Sequence, residues 1–373
     1  MTNSLPFLQC NETGLKSNML IQNADGKMWA IPTNCHRVSV EIYQPSSKRG
    51  KMLKYGLPFI SRISRFLRIV GINIVQFKLI EPIDKLIKTF FHCCQYDISI
   101  FFGTPCIHQK VTLQISSGHT ILGYLKLTDE PAIAQLFDRE SLYLDRWKNI
   151  NSMQLPKCLF VGQIPNTSLW GFLQTTKKTL HSTIPHHLNS DIVKIVKSFC
   201  RETINEYQFE NTDFKKDLLV IEQNLSKFPF PYHEILYKGI CLIQEKFQGK
   251  QVTFSGYHGD FTPWNCFWQS GALFVFDFEY ARSNYPPLLD VYHFFFQTCF
   301  FEAKMNAQQI LDRYTVCRLF RDFKDPNFLF ICYLVNITGF YVLRDHGTAW
   351  KDRGCNAERV ELLRLLLMKY ENA

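Results

Sequence analysis

Short apolar runs separated by polar turns dominate the chain between residues 96 and 175. Residues 110–115 alternate apolar and polar side chains, which predicts a half-buried strand. The nearly continuous apolar runs at 98–102 and 121–127 predict strands before and after it, and the polar stretch 116–119 predicts a hairpin turn. The pattern therefore predicts an antiparallel meander of three strands.

A helical pattern follows this meander. Residues 132–147 carry apolar side chains at helical spacing, which predicts an amphipathic helix. Apolar runs at 158–162 and 169–173 predict a fourth and a fifth strand. Farther along, the pattern predicts helices at 191–206, 232–247, 291–300 and 328–343.

The first 95 residues have a more mixed pattern. Strands are predicted at 28–32 and 38–43, and the polar stretch 45–50 predicts a turn or linker. Helices are predicted at 59–70 and 81–91, the second with one clear apolar face.

The composition indicates a globular protein with a large core. Apolar residues make up 46% of the 373 residues and charged residues 20%, as in ordinary globular proteins. The 13 cysteines have an odd count and no zinc-ligand spacing, so we expect reduced thiols and no structural metal. Residues 1–23 lack a secretory pattern, and the apolar run at 328–343 is shorter than the roughly 20 residues of a membrane span. We therefore expect a cytoplasmic protein.

Positive charge is concentrated near the start of the chain. Residues 1–100 carry 13 Lys/Arg against 6 Asp/Glu, and no acid lies between Glu41 and Glu81. The helix predicted at 59–70 places three arginines on one side, Arg62, Arg65 and Arg68. Residues 48–78 are either an amphipathic surface for anionic lipid or an acidic partner, or a solvated basic segment packed on the protein body. No motif for reading nucleic-acid grooves accompanies this charge, so we expect no nucleic-acid partner.

Three polar side chains with a characteristic spacing lie between residues 257 and 279. Asp260 and Asn265 belong to a polar turn, and the apolar run 273–276 then leads to Asp277. Such a run predicts a buried strand, and a carboxylate at its end has to be paired or bind a metal. Asp-x4-Asn followed by a strand-borne Asp is typical of phosphoryl-transfer sites.

The sequences His258-Gly259-Asp260 and Asp277-Phe278-Glu279 resemble the motifs of the aminoglycoside phosphotransferase and choline kinase superfamily, whose members phosphorylate small molecules. The resemblance covers about residues 96–305. It implies an α+β, two-lobed protein-kinase-like fold. The small lobe, an antiparallel sheet with one helix, would span 96–174. The larger, mostly helical lobe would span 175–373, and residues 1–95 would form a basic N-terminal extension.

The resemblance also implies roles for the residues of the large lobe. Asp260 would be the catalytic base for a substrate hydroxyl, while Asn265 and Asp277 would hold Mg²⁺ on ATP. His258 would pack against the catalytic loop and orient it. Asp290, at the start of the helix predicted at 291–300, would brace that loop.

In the small lobe the resemblance implies that Lys126 contacts the ATP phosphates. Lys126 lies inside an apolar strand, where an unpaired ammonium would be costly. Glu140, fourteen residues later, is expected to orient it, with Glu130 and Asp138 as alternatives.

Three more residues are predicted to contact the nucleotide. Gly103 and Thr104 lie in the loop after the first strand of the meander, which would cover the phosphates. Gln174 begins the segment that would form the hinge, whose backbone would bind the adenine edge.

The region after Glu279 lacks a long activation segment, which favours a small-molecule acceptor over a protein. We expect an ATP- and Mg²⁺-dependent phosphotransferase acting on a hydroxyl of a sugar, an aminoglycoside-like compound or another hydroxylated metabolite. A choline- or ethanolamine-type acceptor is an alternative, and it would use an aromatic cage for its ammonium group. The cage candidates are Trp264, Tyr292, Phe294, Phe295 and Phe296. A non-catalytic nucleotide-binding scaffold at a membrane surface is another alternative, and the sequence does not fix the oligomeric state.

Overall fold

The computed structural model describes residues 5–10, 13–45, 47–60, 72–105, 109–344 and 354–372. The chain divides into two compact units. The first comprises Met1–Lys148, Leu155–Thr183 and Gln269–Phe274. The second comprises Asn149–Gln154, Ile184–Trp268 and Val275–Ala373.

The first unit is built on one antiparallel sheet. Its strands are β1 (Leu8–Gln9), β2 (Lys16–Gln22), β3 (Met28–Pro32), β4 (Asn73–Leu79), β5 (Asp97–Phe101), β6 (Val111–Ser117), β7 (Thr120–Thr128), β8 (Cys158–Gln163) and β9 (Trp170–Thr175). Within the described residues the nine strands lie in the order β1-β4-β2-β3-β5-β6-β7-β9-β8. The five strands predicted between residues 96 and 175 are all present, with ends that differ by a few residues.

Among the described residues, three α-helices belong to the first unit: α1 (Lys48–Ile60), α2 (Glu81–Phe91) and α3 (Pro131–Arg146). The helices predicted at 81–91 and 132–147 correspond to α2 and α3. Side chains alternate between two apolar clusters, as a pleated sheet requires. Met19 and Ile21 of β2 belong to one cluster, and Leu20 between them packs against the other, which includes Ile83 and Ile87 of α2.

The first 95 residues join the sheet of the predicted small lobe. Trp29 of β3 pairs with Phe101 of β5, and their stacked rings have centroids 5.2 Å apart, within the usual range for aromatic pairs. The division into 1–95, 96–174 and 175–373 stays a prediction as a set of domain boundaries. The structure adds that β1 to β4 and β5 to β9 are hydrogen-bonded into one continuous sheet.

Local predictions for this region needed correction. The strand predicted at 38–43 is instead a 3-10 helix at Arg37–Val40, in which Val38, Ser39 and Val40 are all buried. Three consecutive buried residues do not fit a strand with one solvated face. The stretch 45–50, predicted as a turn or linker, contains the start of α1 at Lys48. The helix predicted at 59–70 lies outside the described residues from position 61 onward.

The second unit is mostly helical. The α-helices in its described part are α4 (Ser190–Thr203), α5 (Asp213–Gln223), α6 (Tyr232–Phe247), α7 (Leu289–Gln297), α8 (Ala307–Val316), α9 (Pro326–Arg344) and α10 (Cys355–Glu371). A small antiparallel sheet is formed by β10 (Asn205–Gln208), β11 (Gln251–Tyr257) and β14 (Arg282–Tyr285). Two further strands, β12 (Cys266–Gln269) and β13 (Ala272–Val275), pair with each other.

Helix α9 contains the long apolar run. It is the one helix among the described residues that is long and apolar enough to cross a membrane. Of its apolar 18-residue stretch, 72% is buried inside the structure. A core helix of a water-soluble protein has the same properties. The sequence prediction of a buried helix at 328–343 agrees with this burial.

Candidate active site

The loop after β11 carries the predicted catalytic residues, and its path depends on a glycine. Gly259 has a φ of +84°, and a Cβ atom there would lie 2.4 Å from the backbone oxygen of Tyr280. A side chain at this position would therefore meet both backbone strain and a collision. The glycine lets the chain turn sharply between His258 and Asp260.

Both carboxylate oxygens of Asp260 are held by side chains. Asn265 donates from Nδ2 to Oδ2 at 2.8 Å and to the Asp260 backbone oxygen at 3.0 Å. The Nε2 atom of His293 lies 3.1 Å from Oδ1. The Asp260 side chain nevertheless keeps 19% of its surface exposed. A carboxylate that is fixed yet accessible is suited to accept a proton from a ligand hydroxyl.

Asn265 and Asp277, the two predicted metal ligands, each carry an oxygen atom that could bind a cation. The Nδ2 atom of Asn265 has two oxygen acceptors, which leaves Oδ1 as the atom that could bind a cation. The amide of Phe276 donates to the backbone oxygen of Asn265 at 3.1 Å, so Asp277 follows directly after this contact. Oxygen atoms from an amide and a carboxylate are ligands that Mg²⁺ accepts. The residues present therefore fit the predicted ion.

His258 links the loop after β11 to the strand end before Asp277. Its Nε2 atom lies 3.0 Å from the backbone oxygen of Phe276, and its Nδ1 atom accepts from the Asp260 amide at 3.2 Å. These contacts require a neutral ring with the proton on Nε2. Burial lowers the pKa of His258 to about 4, which agrees with a neutral ring at pH 7.

Asp290 contacts the backbone of the same loop from the first turn of α7. Its two oxygens accept hydrogen bonds from the amides of His258 at 2.8 Å and Gly259 at 3.3 Å. Burial raises the pKa of Asp290 to about 7, while the two amide donors oppose that shift. This is the position from which the sequence analysis expected a brace.

His293 was missed by the sequence analysis. It is fully buried in α7, and its Nδ1 atom lies 3.1 Å from the hydroxyl of Tyr333. Because a carboxylate only accepts hydrogen bonds, Nε2 carries the proton toward Asp260, and the Tyr333 hydroxyl donates to Nδ1. Burial lowers the pKa of His293. A histidine within the apolar run 291–296 was the available signal, since a buried imidazole needs partners.

In the first unit, Lys126 of β7 and Glu140 of α3 form a buried ion pair. Lys126 Nζ lies 2.5 Å from Glu140 Oε2, and their side chains are 6% and 0% exposed. The alternatives Glu130 and Asp138 are both exposed. The ammonium also lies 5.3 Å from the ring centre of Phe172. Among the three acids considered for pairing with Lys126, the structure selects Glu140.

The other predicted nucleotide contacts occupy the expected elements of the first unit. Gly103 follows β5 with a φ of +87°, and a Cβ atom there would lie 2.5 Å from the backbone oxygen of Lys110. Thr104 beside it is exposed. Gln174 is buried near the end of β9, and its Oε1 atom has no hydrogen-bond partner within the described part of the chain. Their roles in binding a nucleotide stay predictions.

No protein-family model matches the sequence, and no curated protein matches it. Solved structures do match. A thermostable mutant of aminoglycoside phosphotransferase APH(4)-Ia, in ternary complex with AMP-PNP and hygromycin B, superposes with a TM-score of 0.50 at 13% identity. The match covers 76% of this chain and 98% of that one. The chain has the fold of the aminoglycoside phosphotransferases. The predicted protein-kinase-like fold class is thereby confirmed.

Two putative fructosamine-3-kinases are also similar in structure. The protein from Haemophilus somnus 129PT has a TM-score of 0.48 at 12% identity, over 76% of this chain and 96% of that one. The protein from Thermobifida fusca YX-ER1 has a TM-score of 0.48 at 12% identity, over 77% of this chain and 98% of that one. These similarities concern the course of the backbone.

The aromatic residues considered for an ammonium cage are mostly in the core of the second unit. Tyr292, Phe294 and Phe296 are fully buried, and Phe295 is 3% exposed. Only Trp264 among these candidates has a large exposed surface, at 38%. A cage needs several ring faces open to the ligand, so this set does not form one.

Proposed function

We propose that this protein is a small-molecule kinase, an ATP- and Mg²⁺-dependent phosphotransferase that acts on an alcohol group. The observation that carries the proposal is the arrangement of Asp260. Its two carboxylate oxygens are held by Asn265 and His293, while part of the side chain stays exposed. The shared fold with a protein crystallised with AMP-PNP and hygromycin B supports the same reaction class.

Each residue of the catalytic loop has a separate task in this proposal. Asp260 orients the acceptor hydroxyl and takes its proton as the oxygen attacks the γ-phosphoryl group of ATP and ADP leaves. Asn265 fixes Asp260 through Nδ2 and would offer Oδ1 to the metal. Asp277 would supply a second protein oxygen for the metal. His258 and Asp290 keep the loop in place through its backbone amides.

Mg²⁺ bound by Asn265 and Asp277 would supply charge neutralisation on the ATP phosphates. Lys126 would add a further positive charge there, and Glu140 would fix its ammonium. Catalysis of phosphoryl transfer depends mainly on such positioning and charge stabilisation. The chain contributes preorganised groups rather than a covalent intermediate.

We favour a sugar or another hydroxylated metabolite as the acceptor. A choline- or ethanolamine-type acceptor is less well supported, because most of the aromatic side chains considered for its cage are buried. We also propose a cytoplasmic location, in keeping with the burial of α9.

The test is Mg²⁺-dependent ATP turnover by the purified protein against a panel of sugars, aminoglycosides, amino alcohols and other hydroxylated metabolites. The variant Asp260→Asn is expected to fold normally and to lose about 10²–10⁴-fold in turnover, the usual contribution of a positioned general base. Asp312→Asn is a matched control, since Asp312 is an exposed carboxylate that accepts a hydrogen bond from Gln308. Unchanged turnover in Asp260→Asn would remove the assignment, and nucleotide binding without turnover on any acceptor would favour the scaffold.

A further inference from the structure

Helix α1 exposes a row of large apolar side chains. Met52 is 76% exposed, Tyr55 78% and Phe59 65%. Residues spaced by three and four positions lie on one face of a helix, so these three form a single ridge, which we call the apolar ridge. It extends about 10 Å along the helix, at 1.5 Å per residue. A surface helix ordinarily turns polar residues outward.

The opposite face of α1 is already packed. Leu57 is fully buried in an apolar cluster with Trp29 and Ile31, and Leu53 packs against the same cluster. Lys54 forms an ion pair with Glu41 at 3.3 Å. The helix is therefore fixed to the first unit by one face. The apolar ridge lies on the other face and contributes nothing to that core contact.

The flanks of the apolar ridge are positively charged. Lys48, Arg49 and Lys51 of α1 are all exposed, and no acidic residue occurs in the sequence from position 42 to 80. The guanidinium of Arg37, on the neighbouring 3-10 helix, lies 5.6 Å from the ring centre of Phe59. A partner for this surface has to be apolar at the centre and negative at the edges.

An anionic lipid surface has these properties. Helices that lie in a membrane interface combine Lys and Arg with large apolar side chains, which enter the boundary between headgroups and acyl chains. Tyrosine is favoured at that depth because its ring is apolar while its hydroxyl can hydrogen-bond to water. The exposed side of a helix has a convex surface. A protein partner would need a groove that fits this surface, whereas a bilayer can deform around it.

We propose that α1 is a membrane-surface helix, which inserts Met52, Tyr55 and Phe59 into an anionic bilayer and binds lipid phosphates through Lys48, Arg49 and Lys51. The proposal does not depend on the proposed kinase activity. It gives α1 a function that its sequence pattern alone left open.

The test is sedimentation of the full-length protein with vesicles. We expect binding to phosphatidylcholine vesicles that contain about 30% phosphatidylserine, and weak binding to vesicles of phosphatidylcholine alone. Sodium chloride at about 0.5 M is expected to release the protein, because it screens the lysine and arginine charges. Equal binding to both vesicle types, or no binding at low salt, would overturn the proposal.

Two sets of variants separate the apolar and the ionic contributions. Replacement of Met52, Tyr55 and Phe59 by Ser is expected to weaken binding about tenfold or more, and replacement of Lys48, Arg49 and Lys51 by Gln to do the same at low salt. The matched control replaces Phe230 and Val316 by Ser, since these are 74% and 73% exposed in the second unit. Circular dichroism checks folding of every variant.

The variants of Met52, Tyr55 and Phe59 also test whether the apolar ridge binds a protein instead of a membrane. If they abolish a dimer seen by light scattering while vesicle binding is unchanged, the apolar ridge joins two copies of the chain, and the lipid proposal is wrong. Vesicle binding that all variants retain equally would also overturn it.

Discussion

The Nε2 atom of His293 lies 3.1 Å from Oδ1 of Asp260, across 33 positions of sequence. This contact gives the proposed base a second fixed oxygen, the first being held by Asn265. His293 does not need to touch a substrate to influence turnover, since it acts through the direction in which it holds Asp260. We regard it as a positioning residue.

Removal of this contact should lower kcat more than it changes KM. His293→Phe is expected to reduce kcat by about 10²-fold, the effect of a displacement of about 1 Å in a reacting group. His293→Gln keeps a donor and should recover part of the loss. Steady-state kinetics with a thermal unfolding control would measure this, and His186→Gln is the matched control because His186 is 65% exposed. Full activity in a folded His293→Phe protein would contradict the role.

Substitution of one member of the Lys126–Glu140 pair should cost more stability than substitution of both. Each single variant, Lys126→Met or Glu140→Leu, removes one partner of a buried ion pair, a change that typically costs about 3–5 kcal/mol. The double variant removes both charges of the pair. Urea unfolding of the four proteins measures the free energies, and additive costs of the two single changes would contradict a coupled buried pair.

His258 should make stability depend on pH below neutrality. Its folded pKa of about 4 lies below the value of 6.5 for an unfolded chain, so between these values the unfolded chain binds more protons. The stability that neutral His258 provides is present above pH 6.5 and is lost as the pH falls toward 4. The full effect is about 3 kcal/mol.

The measurement is the difference in unfolding free energy between the wild type and His258→Gln across that pH range. We expect the advantage of the wild type to shrink as the pH falls. Asp290, whose raised pKa acts on stability in the opposite direction, is present in both proteins and cancels if its own environment is unchanged. A difference that is constant with pH would show that His258 titrates normally.

Gly259→Ala should destabilise the protein more than Gly249→Ala. Both glycines have positive φ angles, +84° and +70°, which cost an alanine about 1–2 kcal/mol. A Cβ atom at Gly249 meets nothing within 4 Å, whereas one at Gly259 lies 2.4 Å from the Tyr280 oxygen. Thermal unfolding of the two variants isolates the cost of the collision, and equal losses would mean that the loop can shift to relieve it.

Asp277→Asn should raise the Mg²⁺ concentration needed for half-maximal turnover. The side chains have nearly the same shape, and asparagine tolerates the positive φ of +72° at this position. The change therefore removes mainly the charge that the proposed metal site requires. Titration of turnover with MgCl₂ gives the measurement, and the same Mg²⁺ dependence in both proteins would remove Asp277 from the site.

The sequence was sufficient to predict the structure where residues close together in the chain determine it. Helix α6 has the bounds predicted from its apolar spacing. The fourteen-residue interval from Lys126 to Glu140, which is close to the spacing of the Lys–Glu pair in kinase-like folds, identified a pair that the structure contains. In both cases the structure depends on residues that are close in sequence. For α6 these residues form one face of a helix, and for the ion pair they lie on a strand and on the helix that follows it.

The sequence was insufficient where distant segments decide the outcome. Strand β2 was not predicted because four of its seven residues are polar, and its pairing with β3 and β4 fixes it as a strand. The contact between His293 and Asp260 depends on how α7 packs beside the catalytic loop. The exposed ridge of α1 is likewise a property of packing, since the apolar side chains on its two faces look equivalent in the sequence.

The pairing of β3 with β5 limits how far the chain can be shortened. A fragment that starts at residue 96 would lose the partner of β5, which pairs Ala30 with Ile100 and Trp29 with Phe101. Its open edge would present unpaired amide and carbonyl groups beside apolar side chains, a template for aggregation. Biochemical work on the predicted catalytic residues therefore requires the whole chain, even though none of them lies before position 96.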